Sequence, residues 1–465
     1  MKIKETLFAL ALLAGAMNIG AQTPERSFYI DYGQNNVANQ GYTTEGADAN
    51  GHYWNNIHGK GTGAPDKAYP QTINMVAADN TATSCRLQLS ARFSTNGYSN
   101  GGLQNPSADL LGDLAIESAT QDYIFLEANQ DYAIIRFMGL DLNKGYKFFS
   151  FGSRTDSGTP GREATFHFRG LNQWQGDHKM GGAGIGANGY NGNNNKVLES
   201  DIIFPDENGC IEMTIIKKTK GGMVHLNAQK VVEYSGVTRP ELGYTLTRRM
   251  LFDFGERGKS GSRGDITSGA DAQGNYWNNM APQTSGTSSI ATGTSLAVVT
   301  TANQTTDITL HNLVAFNANG YNNGGLNDPS AYAENLGLMA VASATQDYMY
   351  TENNGVATLV FQRLDRTKKY RFHIFGTRTD ASNYRSTVLH LKGKTDWEWV
   401  QFTSGPGLGG DGINQNVRNV TVSDYISPDA SGTIFFTFRQ NTAPSCSFGH
   451  LSTIQLEEFD TNGQD

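Results

Sequence analysis

The sequence predicts an all-β protein built as two tandem β-sandwich domains of jelly-roll type, and three observations carry that expectation. Gly46-Ala-Asp-Ala-Asn-Gly-His-Tyr-Trp-Asn-Asn56 recurs as Gly269-Ala-Asp-Ala-Gln-Gly-Asn-Tyr-Trp-Asn-Asn279, so one unit is written twice. The 465-residue chain holds 54 glycines and only 17% charged residues, a balance suited to short strands joined by many polar turns. The clearest apolar patterns alternate with period two, as in Tyr370-Arg-Phe-His-Ile-Phe-Gly376, and no 3.6-residue period competes with them.

At the N-terminus Lys2 and Lys4 precede the apolar run Leu7 to Met17 and small residues ending at Ala21, the tripartite form of a secretory signal peptide over residues 1–21. No cysteine follows that run to accept a lipid, and no later stretch approaches the roughly 20 apolar residues of a membrane span. A secreted or periplasmic protein is expected. A net charge of -8 without a basic block excludes nucleic acid and anionic membranes as main partners. Cys85, Cys210 and Cys446 occupy no matching places in the two units, so they are read as small buried residues or as one pair with one left over. No metal cluster is evident among them.

The first unit is placed at 26–235, a linker at 236–248 and the second unit at 249–460. Each opens with a short apolar strand closed by an Asp-aromatic-Gly turn, Asp31-Tyr-Gly33 and Asp253-Phe-Gly255. Loops follow at Asn96-Gly-Tyr-Ser-Asn-Gly-Gly102 and Asn319-Gly-Tyr-Asn-Asn-Gly-Gly325, with Ser107 and Ser330 placed to cap a helical turn. Next come Ala119-Thr-Gln-Asp122 and Ala344-Thr-Gln-Asp347, then strands running into Arg154-Thr-Asp156 and Arg378-Thr-Asp380. Phe166-His-Phe168 and Leu389-His-Leu391 turn His167 and His390 outward, and Trp174 and Trp397 follow before glycine-rich loops. Each unit ends in a strand expected to pair with its first, His225 to Tyr234 and His450 to Phe459.

Several motifs fail in context. Gly405-Pro-Gly-Leu-Gly-Gly410 fits G-x-G-x-x-G but lacks the flanking parallel strand and helix, and Gly258-Lys259-Ser260 lacks the first glycine of a phosphate loop. No G-x-S-x-G block appears. The acids kept in both units, Asp31/Asp253, Asp48/Asp271, Asp122/Asp347 and Asp156/Asp380, sit beside turns, where aspartate satisfies backbone N–H groups.

What remains is binding chemistry. Tyr53, Trp54 and Asn56, with Tyr276, Trp277 and Asn279, offer rings that stack on sugar C–H faces and amides that bond hydroxyls. Trp174 and Trp397 are the stronger candidates, with His167, His390, Arg154 and Arg378 completing a groove. Asp48-Ala-Asn50-Gly51 is a candidate turn for structural calcium, read chiefly as a turn; no other cofactor is implied.

These residues carry a resemblance. The Asp-aromatic-Gly opening, the Tyr-Trp-Asn-Asn segment, the Ala-Thr-Gln-Asp-Tyr block and the closing His450 to Phe459 alternation resemble the galactose-binding-like jelly-roll modules of secreted bacterial polysaccharide-degrading proteins, in particular those preceding SGNH-type esterase domains. The resemblance implies a non-catalytic carbohydrate-binding protein whose partner is a polysaccharide or oligosaccharide, although no catalytic domain follows Phe459. A hydrolase or lyase with a loop-borne site, and a structural or adhesive surface protein, are the alternatives.

Overall fold

The computed structural model describes residues 22–35, 41–61, 66–158, 161–218, 222–241, 243–258, 264–283, 288–352, 355–442 and 446–463. The expected signal peptide at 1–21 lies outside them. The chain is all-β and sandwich-like: its strands form six sheets, and its α-helices, such as Ala108–Leu111 and Ala342–Thr345, are single turns.

In the first half, Thr23–Gly33 lies between Ala228–Ser235, its antiparallel partner, and Trp54–His58, which runs parallel to it. Gly145–Phe151 and Leu198–Glu199 complete that five-stranded sheet. A six-stranded antiparallel sheet runs in the order Gln173–Gly181, Arg162–Arg169, Ile211–Lys217, Tyr132–Met138, Ala82–Leu89, Gln71–Val76. A four-stranded sheet holds Val224–Leu226, Asp122–Leu126, Phe93–Gly97 and Asp66–Ala68. The core draws Phe28 and Ile30, Phe137 and Phe166, and Ile124 and Leu126 from the three sheets in turn, all fully buried.

The second half has sheets of the same sizes. Thr245–Phe254 lies between Thr453–Asp460 and the parallel Trp277–Met280, beside Lys368–Phe375 and Thr421–Val422. Its six-stranded sheet runs Asp396–Ser404, Arg385–Lys392, Ile434–Gln440, Val356–Gln362, Thr305–Asn312, Ser295–Val299. The two-residue period reads correctly into burial here. Tyr370, Phe372 and Ile374 are fully buried while Arg371 and His373 between them reach the surface.

Three expectations need correction. Each closing strand is broken rather than continuous, because residues on either side of Asn227 and Ser452 belong to different sheets. Asn227 makes the corner: its N–H donates to the Phe151 carbonyl, its side-chain oxygen accepts from Ser153 N, and its amide donates to the Thr120 carbonyl. The strand Thr245–Phe254 begins inside the stretch read as linker, with Thr245 already paired to Asp460. Ser107 occupies the N-cap of Ala108–Leu111 without a side-chain bond, and the Ser330 hydroxyl bonds Asp328 instead of capping. All three cysteines are free thiols.

The halves pack on each other. The loop end of the second half covers the outer face of the first half's six-stranded sheet, where Tyr132, Ile134, Tyr384, Phe402 and Leu408 form a shared cluster. Tyr132 OH accepts from Phe402 N at 3.0 Å, the two rings lie 4.9 Å apart, and Asn419 Nδ2 donates to Ser90 O at 2.8 Å. The Arg169 guanidinium donates to the carbonyls of Val422 and Ser423.

Candidate functional site

Each half presents the same arrangement at its loop end. Strand Gly145–Phe151 stops where Arg154 N bonds the Met180 carbonyl. The Arg154 side chain then reaches across, its Nε donating to Asn100 O and to Tyr123 OH, each at 3.0 Å. In the second half Arg378 Nε reaches Tyr348 OH at 2.9 Å and Asn323 O at 3.3 Å. The carbonyls being gripped belong to the Asn-Gly-Tyr loops, which are pressed against the strand behind them. A Cβ on Gly102 would sit 1.6 Å from the Gln121 carbonyl oxygen, and one on Gly325 would sit 1.7 Å from that of Gln346, so only glycine fits.

The loops are strained at one residue each. Tyr98 has φ 26° and Tyr321 φ 48°, a region bulky side chains avoid, and such outliers concentrate where structure serves a purpose other than stability. Tyr98 is 37% exposed, whereas Tyr321 is half-buried. Thr155 N donates to Gly101 O of the first loop at 2.8 Å, Thr155 and Tyr190 share a hydroxyl contact of 2.7 Å, and in the second half Thr379 Oγ1 donates to Gln415 Oε1 at 2.6 Å. Asp156 lies close by, held below the usual carboxylate range by the Gly158 N–H and by Arg162. At Asp380 burial pushes upward, but the N–H groups of Ser382 and Asn383 with Arg385 outweigh it and keep the group ionised. A raised ring, a guanidinium, hydroxyls and a fixed carboxylate together can stack on and hydrogen-bond a polyhydroxylated ligand.

The structure separates the residues expected to share one groove. Trp174 stands at the far end of its strand from Gly181, next to which Arg154 sits; seven residues of strand are about 23 Å. Trp174 leans on Phe168 with centroids 6.0 Å apart, and Trp397 packs against the second core; both are half-buried. His167 bonds Gln173 at 3.1 Å and lies 6.2 Å from the Trp399 ring of the other half, with burial lowering its pKa. His390 Nε2 lies 3.9 Å from Asp396. Thus Arg154 and Arg378 belong to the loop ends, whereas the tryptophans and histidines belong to the opposite end of the hairpins.

The Tyr-Trp-Asn-Asn segments are turned inward. Trp54 and Trp277 are each only 6% exposed and complete small cores under the helical turns. Their Nε1 atoms donate to Asp48 and Asp271 at 2.8 and 2.9 Å. Asn56 and Asn279 exchange bonds with the backbone of Thr44 and Thr267. Tyr53 and Tyr276 are half-buried and bridge to Ala47 and Ala270. The candidate calcium turn is accounted for the same way, because both Asp48 oxygens accept from N–H donors, Asn50 and His52 on one and Trp54 on the other. Among the described residues no group of three or more His, Cys, Asp or Glu could hold a metal.

Sequence reasoning missed the state of the repeated acids. Asp31 and Asp122 are buried together, as are Asp253 and Asp347. Asp31 Oδ2 accepts from Thr44 N and Oγ1, and Asp122 Oδ2 from Gln34 N. Burial pushes Asp31 and Asp253 up to about 7, and burial together with the neighbouring carboxylate raises Asp122 and Asp347 well above the usual range. The glycine of the opening motif follows from this: a Cβ on Gly33 would meet the Asp122 carboxylate carbon at 2.3 Å.

A cavity of about 840 Å³ lies between the halves. Its charges are matched internally, Arg136 with Glu212 at 2.9 Å and Arg371 with Glu457 at 2.8 Å, while Arg249 and His373 also contact Glu457. The His373 hydrogen bond and the Arg371 and Arg249 guanidiniums hold Glu457 far below the usual carboxylate range despite its burial. The cavity therefore reads as the seam of the two halves.

No protein-family model matches the chain, and no curated protein matches it. Among solved structures it is similar to the ANX1 ectodomain from Arabidopsis thaliana, at 12% identity and a TM-score of 0.28 over 94% of this chain and 97% of that one. It is also similar to a chain in the complex of plant peptide RALF23 with FER and LLG2, at 10% identity and a TM-score of 0.26 over 94% and 96%. A third likeness is to the tandem CBM22-1-CBM22-2 domain of Paenibacillus barcinonensis Xyn10C, at 6% identity and a TM-score of 0.18 over 72% and 87%. With overlaps this loose, the fold class rests on the chain's own sheets.

Proposed function

We propose that the protein is a secreted, non-catalytic carbohydrate-binding protein with two homologous modules, at about 26–235 and 249–460, each binding polysaccharide or oligosaccharide at its loop end. The observation that carries this is the same strained tyrosine in a loop that the same arginine grips in both halves, Tyr98 in the loop held by Arg154 at Asn100 O and Tyr321 in the loop held by Arg378 at Asn323 O. The burial of the repeated aspartate pairs and the hydrogen-bonded state of Asp156 and Asp380 support a binding role over hydrolysis, which needs an exposed acid and base facing one bond. Trp174 and Trp397, half-exposed at the other end of the hairpins, are secondary contact rings in this reading.

The two sites would differ in access. The loop around Gly182 is open in the first half, while Gly407 in the second lies against Tyr69 and Arg92 of its neighbour. Tyr98→Gly and Tyr321→Gly provide the test, since glycine accepts positive φ and the loop keeps its path while the ring is lost. In affinity electrophoresis against a panel of plant and host polysaccharides, each variant should weaken retention at least about tenfold, equivalent to roughly 1.4 kcal/mol, with no fall in Tm. Unchanged retention of the double variant would remove the reading, and release of reducing ends by the parent protein would replace it with the enzymatic one.

A further inference from the structure

The seam between the halves is hollow, and its lining is richer than joining the halves requires. One wall is the outer face of the first half's six-stranded sheet, with Arg136, Arg169 and Glu212. The other is the outer face of the second half's five-stranded sheet, with Arg249, Arg371, His373, Gln455 and Glu457. The helical turn Ala333–Leu336 also lines the hollow.

Neither ionic network is needed for its sheet to form, because the other half builds the same sheet without it. In the second half Glu457 stands in register between Arg249 and Arg371, whereas in the first half Val232 stands between Ser27 and Lys147. Beside them His373 and Gln455 take the places of Phe149 and Lys230. On the opposite wall Arg136 and Glu212 are paired where the second half pairs Val360 with Phe435. Each acid–arginine network therefore occurs only on the wall that faces the hollow.

Adhesion of the halves does not account for these residues. The bonds across this part of the seam include Arg86 to Glu334 and Arg371 to Glu207, with Arg136 and Arg169 donating to carbonyls of Arg418, Val422 and Ser423. Glu212, Arg249, His373, Gln455 and Glu457 bond only side chains of their own half. Several of them keep bonding capacity open. Gln455 is 8% exposed; its Nε2 donates to Glu457 Oε1, and its Oε1 has no partner among the described residues. Arg249 is engaged only through Nε, Glu212 only through Oε2 and His373 only through Nε2. A buried acceptor with no protein partner calls for one from whatever fills the hollow.

We infer that this hollow is a third ligand site, for a short neutral oligosaccharide, separate from the two loop ends. Its volume of about 840 Å³ falls in the range of small-molecule sites, which gather where domains meet. The lining has five arginines and five carboxylic acids, so a charged ligand would have to break an ion pair and leave one partner buried alone. An apolar ligand would strip water from the same groups and offer them no bond. A sugar matches both parts of the lining. Its hydroxyls bond the open donors and acceptors, and its C–H faces lie on Met138, Leu336, Val420 and Val422.

The test uses the mature full-length chain carrying Tyr98→Gly and Tyr321→Gly, so that the loop ends are silenced. In calorimetric titration, at least one of the neutral trisaccharides of glucose, mannose, galactose and xylose should bind as a single molecule per chain. Trigalacturonate should bind at least about tenfold more weakly. Arg249→Ser and His373→Phe install the residues that the first half carries at the same places, so folding is expected to survive, with Tm as the control. Each should weaken binding of the trisaccharide at least about tenfold. In the parent chain, whatever the variants do, the bound trisaccharide should slow amide exchange in the turn 206–210 and in Ala333–Leu336 together. No binding of any of these neutral sugars, equal binding of trigalacturonate, indifference to both substitutions, or protection confined to the loops around Tyr98 and Tyr321 would each overturn the proposal; in the last case the sugar belongs to the loop ends alone.

Discussion

At the scale of single residues, the buried aspartates carry the sharpest consequence. A carboxyl whose folded pKa lies above its unfolded value binds more protons when folded, so its contribution to stability is complete below about pH 4 and is lost as pH rises through about 7. Buried histidines act oppositely. His178, whose Nε2 accepts from Gly152 N, is pushed down to about 4 by burial, so it destabilises as pH falls below about 6.5. The two effects overlap, and a variant separates them. Asp122→Asn mimics the protonated acid and should match the parent in Tm near pH 4 while exceeding it increasingly up to about pH 8. A constant difference in Tm across that range would show that Asp122 does not titrate between the two states.

At the scale of elements, the Tyr-Trp-Asn-Asn segments are devices for attaching a parallel strand. Asn55 donates to the Tyr29 and Val76 carbonyls and accepts from Val76 N, so one amide stitches three segments of chain together. Trp54 closes the small core beneath Leu111 and Leu114. Trp54→Ala is therefore expected to cost about 3–5 kcal/mol in urea unfolding, the range for losing a large buried aromatic, without altering glycan retention by the folded fraction. A loss under about 1 kcal/mol would place the ring outside the core. This segment was the most legible repeat in the sequence, yet side-chain alternation could not tell whether its rings face a ligand or a core. The acid that accepts the indole N–H, Asp48, stood six residues away and was the available signal.

At the scale of the whole molecule, the halves act as one body through the seat around Tyr132. Its ring is 7% exposed and its hydroxyl accepts from the partner half's backbone. Tyr132→Asp would leave a buried charge facing Phe402 and Leu408, a cost of several kcal/mol. Calorimetry should then resolve two unfolding transitions where the parent shows one; a single transition in the variant would mean that the two halves couple elsewhere, for example through the Arg169 contacts.

The sequence by itself determined the local order of this protein: strands with period-two burial, glycine at sites of close approach, and an opening and a closing strand that pair in each half. Those properties depend on neighbours along the chain, where alternation and turn chemistry act directly. Only the tertiary structure decided which matched residues share a surface. Arg154 and Trp174 are 20 residues apart in sequence but lie at opposite ends of one hairpin. Tyr98, one letter in a glycine-rich loop, is exposed in a loop that Gly102 lets lie flat on Gln121. The Asp31 and Asp122 carboxyls are raised above the usual range because two strands distant in sequence place them together away from water.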